Sequence, residues 1–422
     1  MRQTRRDIFV IGFALFSMFF GAGNVIFPPY LGLESGSQWF LGFVCYYLAD
    51  IGLALLALFA MLYRGSTESL IKPIGKTAST LLMSVIILCI GPMLAIPRTA
   101  ASTYEMSLAP LAPGVSPVLF SAVFFLLIFL LCVRESAVVD IVGKVLTPVL
   151  LLGLLIMIVK GVLSPIGPVP DVPLVDNVPA TGIEAGYQTM DVLASVVFGI
   201  ILLKSAEDKG HLHPKAKFRV VAGAGVIAGT ALLVVYLGLT YLGVTTSQFF
   251  DLSVDRTFLV VSIVQKLMGH SGMILFSVVV ALACITTAVA LVSASADFFS
   301  NLSGGRLSYH LLAAAVCVFS AVLSNVGLEQ IVSISAPILE VVYPPTLVLI
   351  LMAFLGNHIK SDWVFRLAAL GALCTSLLSV ISKLAGVSMP FLNALPLAAL
   401  GFGWLLPAAV GGVIGFLATC KK

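Results

Sequence analysis

Long apolar stretches follow one another almost without interruption along these 422 residues, and that succession constrains the fold more than any other feature. A helix needs about 20 predominantly apolar residues to cross the hydrocarbon core of a bilayer. Twelve windows of that length fall near 7–33, 37–63, 77–107, 116–133, 141–163, 183–204, 217–243, 271–299, 307–324, 329–355, 363–386 and 398–419. They predict an all-α polytopic membrane protein. Only 10% of the residues are charged, and the mean hydropathy of +1.13 lies outside the range of soluble globular chains. The opening Met-Arg-Gln-Thr-Arg-Arg-Asp has the charge of a signal-peptide start. The apolar run behind it lacks a small-x-small cleavage site and is long enough to span, so it reads as the first helix. No low-complexity linker divides the chain, which reads as one transmembrane domain, 1–422.

Basic residues favour the cytoplasmic side of a bilayer. With the N-terminus inside, Arg2, Arg5, Arg6, Arg64, Lys72, Lys76, Arg134, Lys144, Lys204, Lys209, Lys215, Lys217, Arg219, Arg306, Lys360, Arg366, Lys421 and Lys422 are cytoplasmic. Lys160, Arg256, Lys266 and Lys383 fall outside, and Arg98 lies within a span. This asymmetry predicts an even number of spans with both termini cytoplasmic. The proline-rich loop 164–182, with Asp171 and Asp176, reads as an ordered external connection, and 245–270 as carrying a short amphipathic helix on the outer surface.

Several classes are excluded. The formal excess of +4 is spread over short loops and forms no patch for nucleic acid. The seven cysteines sit almost entirely within apolar segments without CxxC spacing, as small packing residues. His211-Leu212-His213 lies in a basic loop without further ligands, and reads as solvated rather than metal-binding. The absence of a Walker-type glycine-lysine motif, of GxSxG and of nucleophile-plus-base spacing argues against an ATP-driven pump or a membrane hydrolase. The chain does not read as an enzyme, and no cofactor is implied.

Two spans are interrupted. Residues 19–32 run Phe-Phe-Gly-Ala-Gly-Asn-Val-Ile-Phe-Pro-Pro-Tyr-Leu-Gly inside the first window. Each glycine costs a helix about 1 kcal/mol relative to alanine, and each proline removes a backbone donor. Backbone freed at membrane depth is tolerated where it is buried in protein or lines a polar cavity. The stretch is therefore expected to be an unwound binding segment. A proline-kinked packing helix is the plain alternative. In the sixth window Asp191, Ser195 and Gly199 interrupt an otherwise apolar run. Interrupted segments at corresponding positions point to an inverted-repeat transporter that binds its substrate near the midplane. The expected organisation is a first repeat over 1–163, a second over 183–355, and two additional helices over 363–419.

Phe20-Gly21-Ala22-Gly23-Asn24-Val25-Ile26-Phe27-Pro28-Pro29 resembles the first-helix signature of the bacterial branched-chain amino acid:cation symporters. Gly91-Pro92-Met93-Leu94-Ala95-Ile96-Pro97-Arg98-Thr99, Gly143-Lys144-Val145-Leu146-Thr147-Pro148 and Tyr187-Gln188-Thr189-Met190-Asp191 resemble the same family, so the resemblance covers nearly the whole chain. It implies the five-plus-five fold of the amino acid, polyamine and organocation carriers. It also implies sodium-coupled import of leucine, isoleucine and valine across the bacterial cytoplasmic membrane.

An amino acid zwitterion needs an anion site, a cation site and an apolar pocket. Free N–H groups around Gly21, Ala22, Gly23 and Asn24, at the start of a half-helix, suit a carboxylate. Carbonyls freed around Val197, Phe198 and Gly199 are expected to face the ammonium. The Phe198 ring either closes the pocket or simply packs. Asn24 is open between cation ligand, substrate ligand and a tie between half-helices. Ala283, Thr286 and Thr287 share a helical face by i, i+3, i+4 spacing. The resemblance makes them a sodium site, completed by the carbonyls of Ser17 and Phe20. Membrane threonines bonded to their own upstream carbonyls give the same pattern. No partners for a second sodium are evident in the sixth and seventh spans, so a single coupling ion is expected.

Asp50, Arg98, Asp191 and Glu340 are ionisable residues within spans, where each should pair or face water. Arg98, Asp191 and Glu340 are candidates for an external gate or a permanent ion pair. Asp50 fits a hydrogen-bonded structural role or ion translocation. Lys144 offers a competing proton-coupled mechanism, or snorkels to the interface. A nontransporting sensor or a channel is the reading from another class.

Overall fold

The computed structural model describes residues 2–133, 147–356, 359, 361–387 and 389–420, and among these there is no strand. Lys144, with its competing mechanism, lies outside the described residues. The helices are α1 (Arg2–Phe19), α2 (Ala22–Ser35), α3 (Trp39–Tyr47), α4 (Leu53–Arg64), α5 (Thr67–Ile71), α6 (Lys76–Leu88), α7 (Ala95–Thr103) and α8 (Pro117–Val133). They continue as α9 (Thr147–Leu163), α10 (Val178–Gln188), α11 (Asp191–Asp208), α12 (Pro214–Val244), α13 (Arg256–Leu302), α14 (Tyr309–Ser324), α15 (Leu328–Ala353), α16 (Asp362–Ala385), α17 (Pro390–Asn393) and α18 (Leu405–Cys420).

Among the described residues, seven helical runs are long and apolar enough to cross a membrane: Ala22–Arg64, Lys76–Leu108, Val178–Asp208, Pro214–Val244, Arg256–Leu302, Leu328–Ala353 and Asp362–Ala385. Shorter apolar helices lie between and after them. Large apolar side chains such as Val123, Leu126, Leu130, Leu152, Val318 and Val322 are exposed on the outside of the bundle, as hydrocarbon-facing surfaces require.

The core is formed where α1 and α2 pack along α12, with α3, α7, α10, α11 and α13 closing around them. Backbone meets backbone at the α2–α12 crossing. A Cβ on Gly32 would overlap the carbonyl of Thr240, and one on Gly243 would overlap the carbonyl of Pro29. Small residues at crossings let membrane helices come this close. Gly186 does the same for α10, where a Cβ would lie 2.8 Å from Ala49 Cβ and 3.0 Å from Asp50 N.

Two helical runs carry π-turns near the core. Leu48–Gly52 is a π-turn between α3 and α4, and it carries Asp50. Cys89–Met93 is another between α6 and α7, bent at Gly91 and Pro92, and the bend sets the direction of the turn bearing Arg98. Such turns recur at functional sites because the extra residue re-aims a side chain.

The expected loop 164–182 is tied down in its second half and ends at Asn177, where α10 begins. Leu174 N–H donates to Glu34 O at 2.9 Å, and Asn177 caps α10 through Ala180 N–H at 3.2 Å. The segment before residue 270 is helical from Arg256, with a kink at Gly269 separating it from the long part of α13. His211 Nε2 lies 2.9 Å from Asp7 Oδ2.

Candidate functional site

The first break is shorter than the sequence suggested. α1 ends at Phe19 and α2 starts at Ala22, so only Phe20 and Gly21 leave the helix, and Pro28 and Pro29 lie inside α2. Gly21 N–H turns back to Phe19 O at 2.8 Å instead of reaching Ser17, four residues earlier. The first N–H groups of α2 have no partner within their own helix, and Gly21, Ala22, Gly23 and Asn24 all line a central cavity.

The second break corrects the expected position. α11 runs as continuous helix through Val197, Phe198 and Gly199, so their carbonyls are not freed. Gly199 is a packing glycine, since a Cβ there would overlap the Met61 thioether. The chain departs from helix at Thr189 and Met190, between α10 and α11. Met190 has φ +68°, a left-handed conformation that only one other described non-glycine residue, Leu397, adopts. A residue without glycine's freedom holds this conformation only when its surroundings over-determine it.

Those surroundings are polar. The Arg98 guanidinium donates to Gln188 O at 2.5 Å and to Thr189 O at 3.0 Å, so it caps the carbonyl end of α10. Thr189 Oγ1 donates to Asp50 Oδ1 at 2.8 Å, and Ser335 Oγ donates to Gln188 Oε1 at 2.9 Å. The Arg98 side chain fits because residue 23 is glycine: a Cβ there would lie 2.9 Å from Nη2 and 3.1 Å from the Phe27 ring. The guanidinium carbon is 5.7 Å from the Phe27 ring centre.

Asn24 joins the two breaks. Its amide donates to Asp191 Oδ2 at 2.7 Å and also to the Tyr236 hydroxyl. Between the breaks is a cavity of about 30 Å³ bounded by Gly21–Asn24, Arg98, Thr189–Asp191, Phe198 and Thr287. Phe198 reaches it and packs edge-on against Phe19 at 5.7 Å. Val197 and Gly199 are not on its wall.

The candidate cation ligands divide. Thr286 Oγ1 donates to Ala283 O at 2.8 Å and to Leu282 O at 3.1 Å, the back-bonding expected of any membrane threonine. Thr287 Oγ1 is buried, makes no hydrogen bond, and faces the first break, 3.6 Å from where a Gly21 Cβ would stand. A buried hydroxyl without a partner forfeits about 1–3 kcal/mol, so this oxygen is suited to a ligand in the space it faces.

The expected gate does not assemble. Glu340 accepts from Lys383 Nζ at 2.8 and 2.7 Å on the exposed side of α15 and α16, away from Arg98 and Asp191. Both α-helical positions are reachable from the surface, and a long lysine finds the nearer carboxylate. A different charged cluster ties helix ends together. Arg256 pairs with Glu329 and stacks over the Tyr30 ring at 4.4 Å, while Glu105 accepts from Thr257 Oγ1 and Leu328 N–H, each at 3.0 Å.

Tyr236, Thr189 and Met190 are the site residues that sequence reasoning did not single out by role. Thr189 and Met190 lie in the quoted motif 187–191, but no glycine or proline marks a break there. Tyr236 carries no local signal at all, and only the packing of α12 on α2 brings it to Asn24.

Residues 4–422 match the family model described as branched-chain amino acid transport protein. The branched-chain amino acid permease BraB of Bacillus subtilis strain 168 is 36% identical over 98% of this chain and 96% of its own length. In fold, the chain is similar to Mhp1, a nucleobase-cation-symport-1 family transporter in a closed conformation, with a TM-score of 0.66 at 13% identity over 98% of this chain and 92% of that one. It is also similar to MhsT in complex with L-phenylalanine, with a TM-score of 0.57 at 17% identity over 96% of this chain and 98% of that one. With its two broken helices around one buried cavity and a match over nearly its whole length, this chain belongs to the branched-chain amino acid transport protein family.

Proposed function

We propose that the protein imports branched-chain amino acids together with sodium, by alternating access across the bacterial cytoplasmic membrane, with both termini inside. The proposed architecture is twelve spans in a five-plus-five inverted repeat, with α16 and α18 as the two additional spans. BraB is named for branched-chain amino acids, and MhsT was solved with an amino acid. The observation that carries the reading is the first break, where the first turn of α2, whose N–H groups have no partner within their own helix, lines the cavity and the unpartnered Thr287 hydroxyl faces it.

In this reading the substrate carboxylate is held by the N–H groups of Ala22, Gly23 and Asn24, since Gly21 N–H is engaged by Phe19 O. The ammonium goes to the carbonyl end of α10, at Gln188 and Thr189, rather than to Val197–Gly199. Arg98 occupies those carbonyls in this structure. The cavity of about 30 Å³ admits a water but no amino acid, so Arg98 must withdraw for substrate to bind. Phe198 forms the apolar wall. Sodium sits between Thr287, with Thr286 and Ala283 beside it, and the carbonyls of Ser17 and Phe20, a hard cation among oxygen ligands. Loading it orders the first break and raises substrate affinity through binding linkage. The Arg256–Glu329 cluster takes the gating role first assigned to Glu340.

Leucine uptake into proteoliposomes, with sodium and proton gradients imposed separately, tests this. Thr287→Ala is expected to raise the sodium concentration for half-maximal uptake about tenfold, as loss of one ion contact worth ~1.4 kcal/mol would. Uptake indifferent to sodium would leave a proton-coupled or exchanging carrier. Currents without counterflow would make it a channel, and leucine binding without flux a sensor.

A further inference from the structure

The buried charges at the second break do not balance. Arg98, Asp50 and Asp191 are 4%, 0% and 5% exposed. The guanidinium spends its two hydrogen bonds on the main-chain carbonyls of Gln188 and Thr189, and none on a carboxylate. Asp191 Oδ2 receives the Asn24 amide and Asp50 Oδ1 receives the Thr189 hydroxyl. Two carboxylates therefore stand against one cation.

The two acids also meet directly, side chain to side chain. Neither Asp50 Oδ2 nor the hydroxyl of the fully buried Tyr46, which lies against the Asp50 side chain, makes a well-formed hydrogen bond. The other titratable groups facing the pair are Tyr47 of α3, Tyr236 of α12 and Tyr343 of α15. All are neutral phenols, so Arg98 on α7 is the sole positive charge turned toward the pair among the described residues. Two carboxylates in contact in a water-poor interior cannot both remain ionised.

We propose that Asp50 and Asp191 together bind one proton, as an acid–carboxylate pair linking the π-turn Leu48–Gly52 to the second break. The proton supplies the donor that two touching carboxylates otherwise lack between them and brings the buried charge to zero. A metal cation fits less well, because it requires a shell of oxygen ligands and the cavity wall includes Asp191 but not Asp50. When Arg98 leaves the α10 carbonyls it can pair with Asp191, and an opposite charge at that distance favours proton loss. That linkage rests on the amino acid transport proposed above, whereas the proton-binding pair does not.

Infrared spectroscopy of the full-length protein in lipid bilayers at neutral pH tests the pair without substrate. The expected result is a protonated-carboxyl stretch that shifts on 13C-aspartate labelling, is unchanged by sodium, and is lost in both Asp50→Asn and Asp191→Asn. Asp50→Glu keeps an acid at the site and should retain a protonated-carboxyl band, guarding against loss through misfolding. A wild-type protein without an aspartate acid band overturns the proposal, as does a band that survives either asparagine variant or one that sodium abolishes. Leucine addition is then expected to erase the band and release about one proton per leucine bound. Leucine-induced changes elsewhere in the spectrum with the band intact overturn the linkage. No leucine-induced change of any kind counts against the transport reading and leaves the carboxyl result standing.

Discussion

The two helix breaks face one cavity but are made in opposite ways. At Phe20–Gly21 the local chain does the work: a glycine ends α1, the next glycine leaves room for Arg98, and the backbone at Gly21 is an ordinary extended conformation, φ −107° and ψ −168°. At Thr189–Met190 nothing local favours unwinding, and Met190 sits at φ +68°. There Arg98 from α7 and Asp50 from the π-turn hold the chain open from outside. A break written into the sequence persists whatever its neighbours do. A break imposed by neighbours can be released by them, which is what a moving part requires.

The largest test of that contrast is Arg98. Replacing it with alanine leaves two buried carbonyls without donors, and charge-assisted bonds are worth about 1.5–3 kcal/mol each. Leucine uptake per folded transporter is expected to fall roughly 100-fold, with Arg98→Lys intermediate because an ammonium cannot span both carbonyls in a fork. Uptake near wild type in Arg98→Ala would show that the second break stands without its clamp.

Next in size is the difference between the two glycines of the first break. Gly23→Ala places a Cβ 2.9 Å from Arg98 Nη2, whereas Gly21→Ala meets Thr287 at an ordinary 3.6 Å. Strain of about 1–3 kcal/mol at residue 23 predicts uptake lowered roughly tenfold more by Gly23→Ala than by Gly21→Ala. Equal effects would mean that Arg98 is not held where the structure has it.

The smallest effect is a partial offset. Met190→Gly removes a side chain that is 2% exposed, at a cost of about 2–5 kcal/mol, but relieves about 1 kcal/mol of left-handed backbone strain, so it should lower the unfolding midpoint in detergent by less than Met190→Ala does. A midpoint lower for Met190→Gly than for Met190→Ala would mean that the backbone at 190 carries no strain for glycine to relieve.

These contrasts also explain what was legible beforehand. Helical class, the interrupted first span and Arg98 as a charge within a span follow from hydropathy and from glycine and proline chemistry, which are local. The position of the second break was not legible, because Ser195 and Gly199 look like interruptions while Thr189 and Met190 do not. Gly199 answers to Met61, and Thr189 answers to Asp50, 139 residues away. The Arg98–Glu340 gate failed for a related reason. Counting charges within spans does not reveal which face of a helix each occupies, and Lys383 on the neighbouring helix was the nearer partner. Asn24 could be placed at the site from sequence, but its bonds to Asp191 and Tyr236 required three helices to be assembled first.

The crossing of α2 and α12 bears on how such a molecule moves. Gly32 against Thr240 and Gly243 against Pro29 leave α2 and α12 touching main chain to main chain, with no side chains between them to change rotamer. Two rods joined that way have no cushion. They cannot slide or pivot on one another by small adjustments, so they travel as a single lever whose fulcrum is the two-residue gap at Phe20–Gly21. Whatever tilts α12 turns the start of α2 with it, and the stroke is delivered at the first break, on the wall of the cavity.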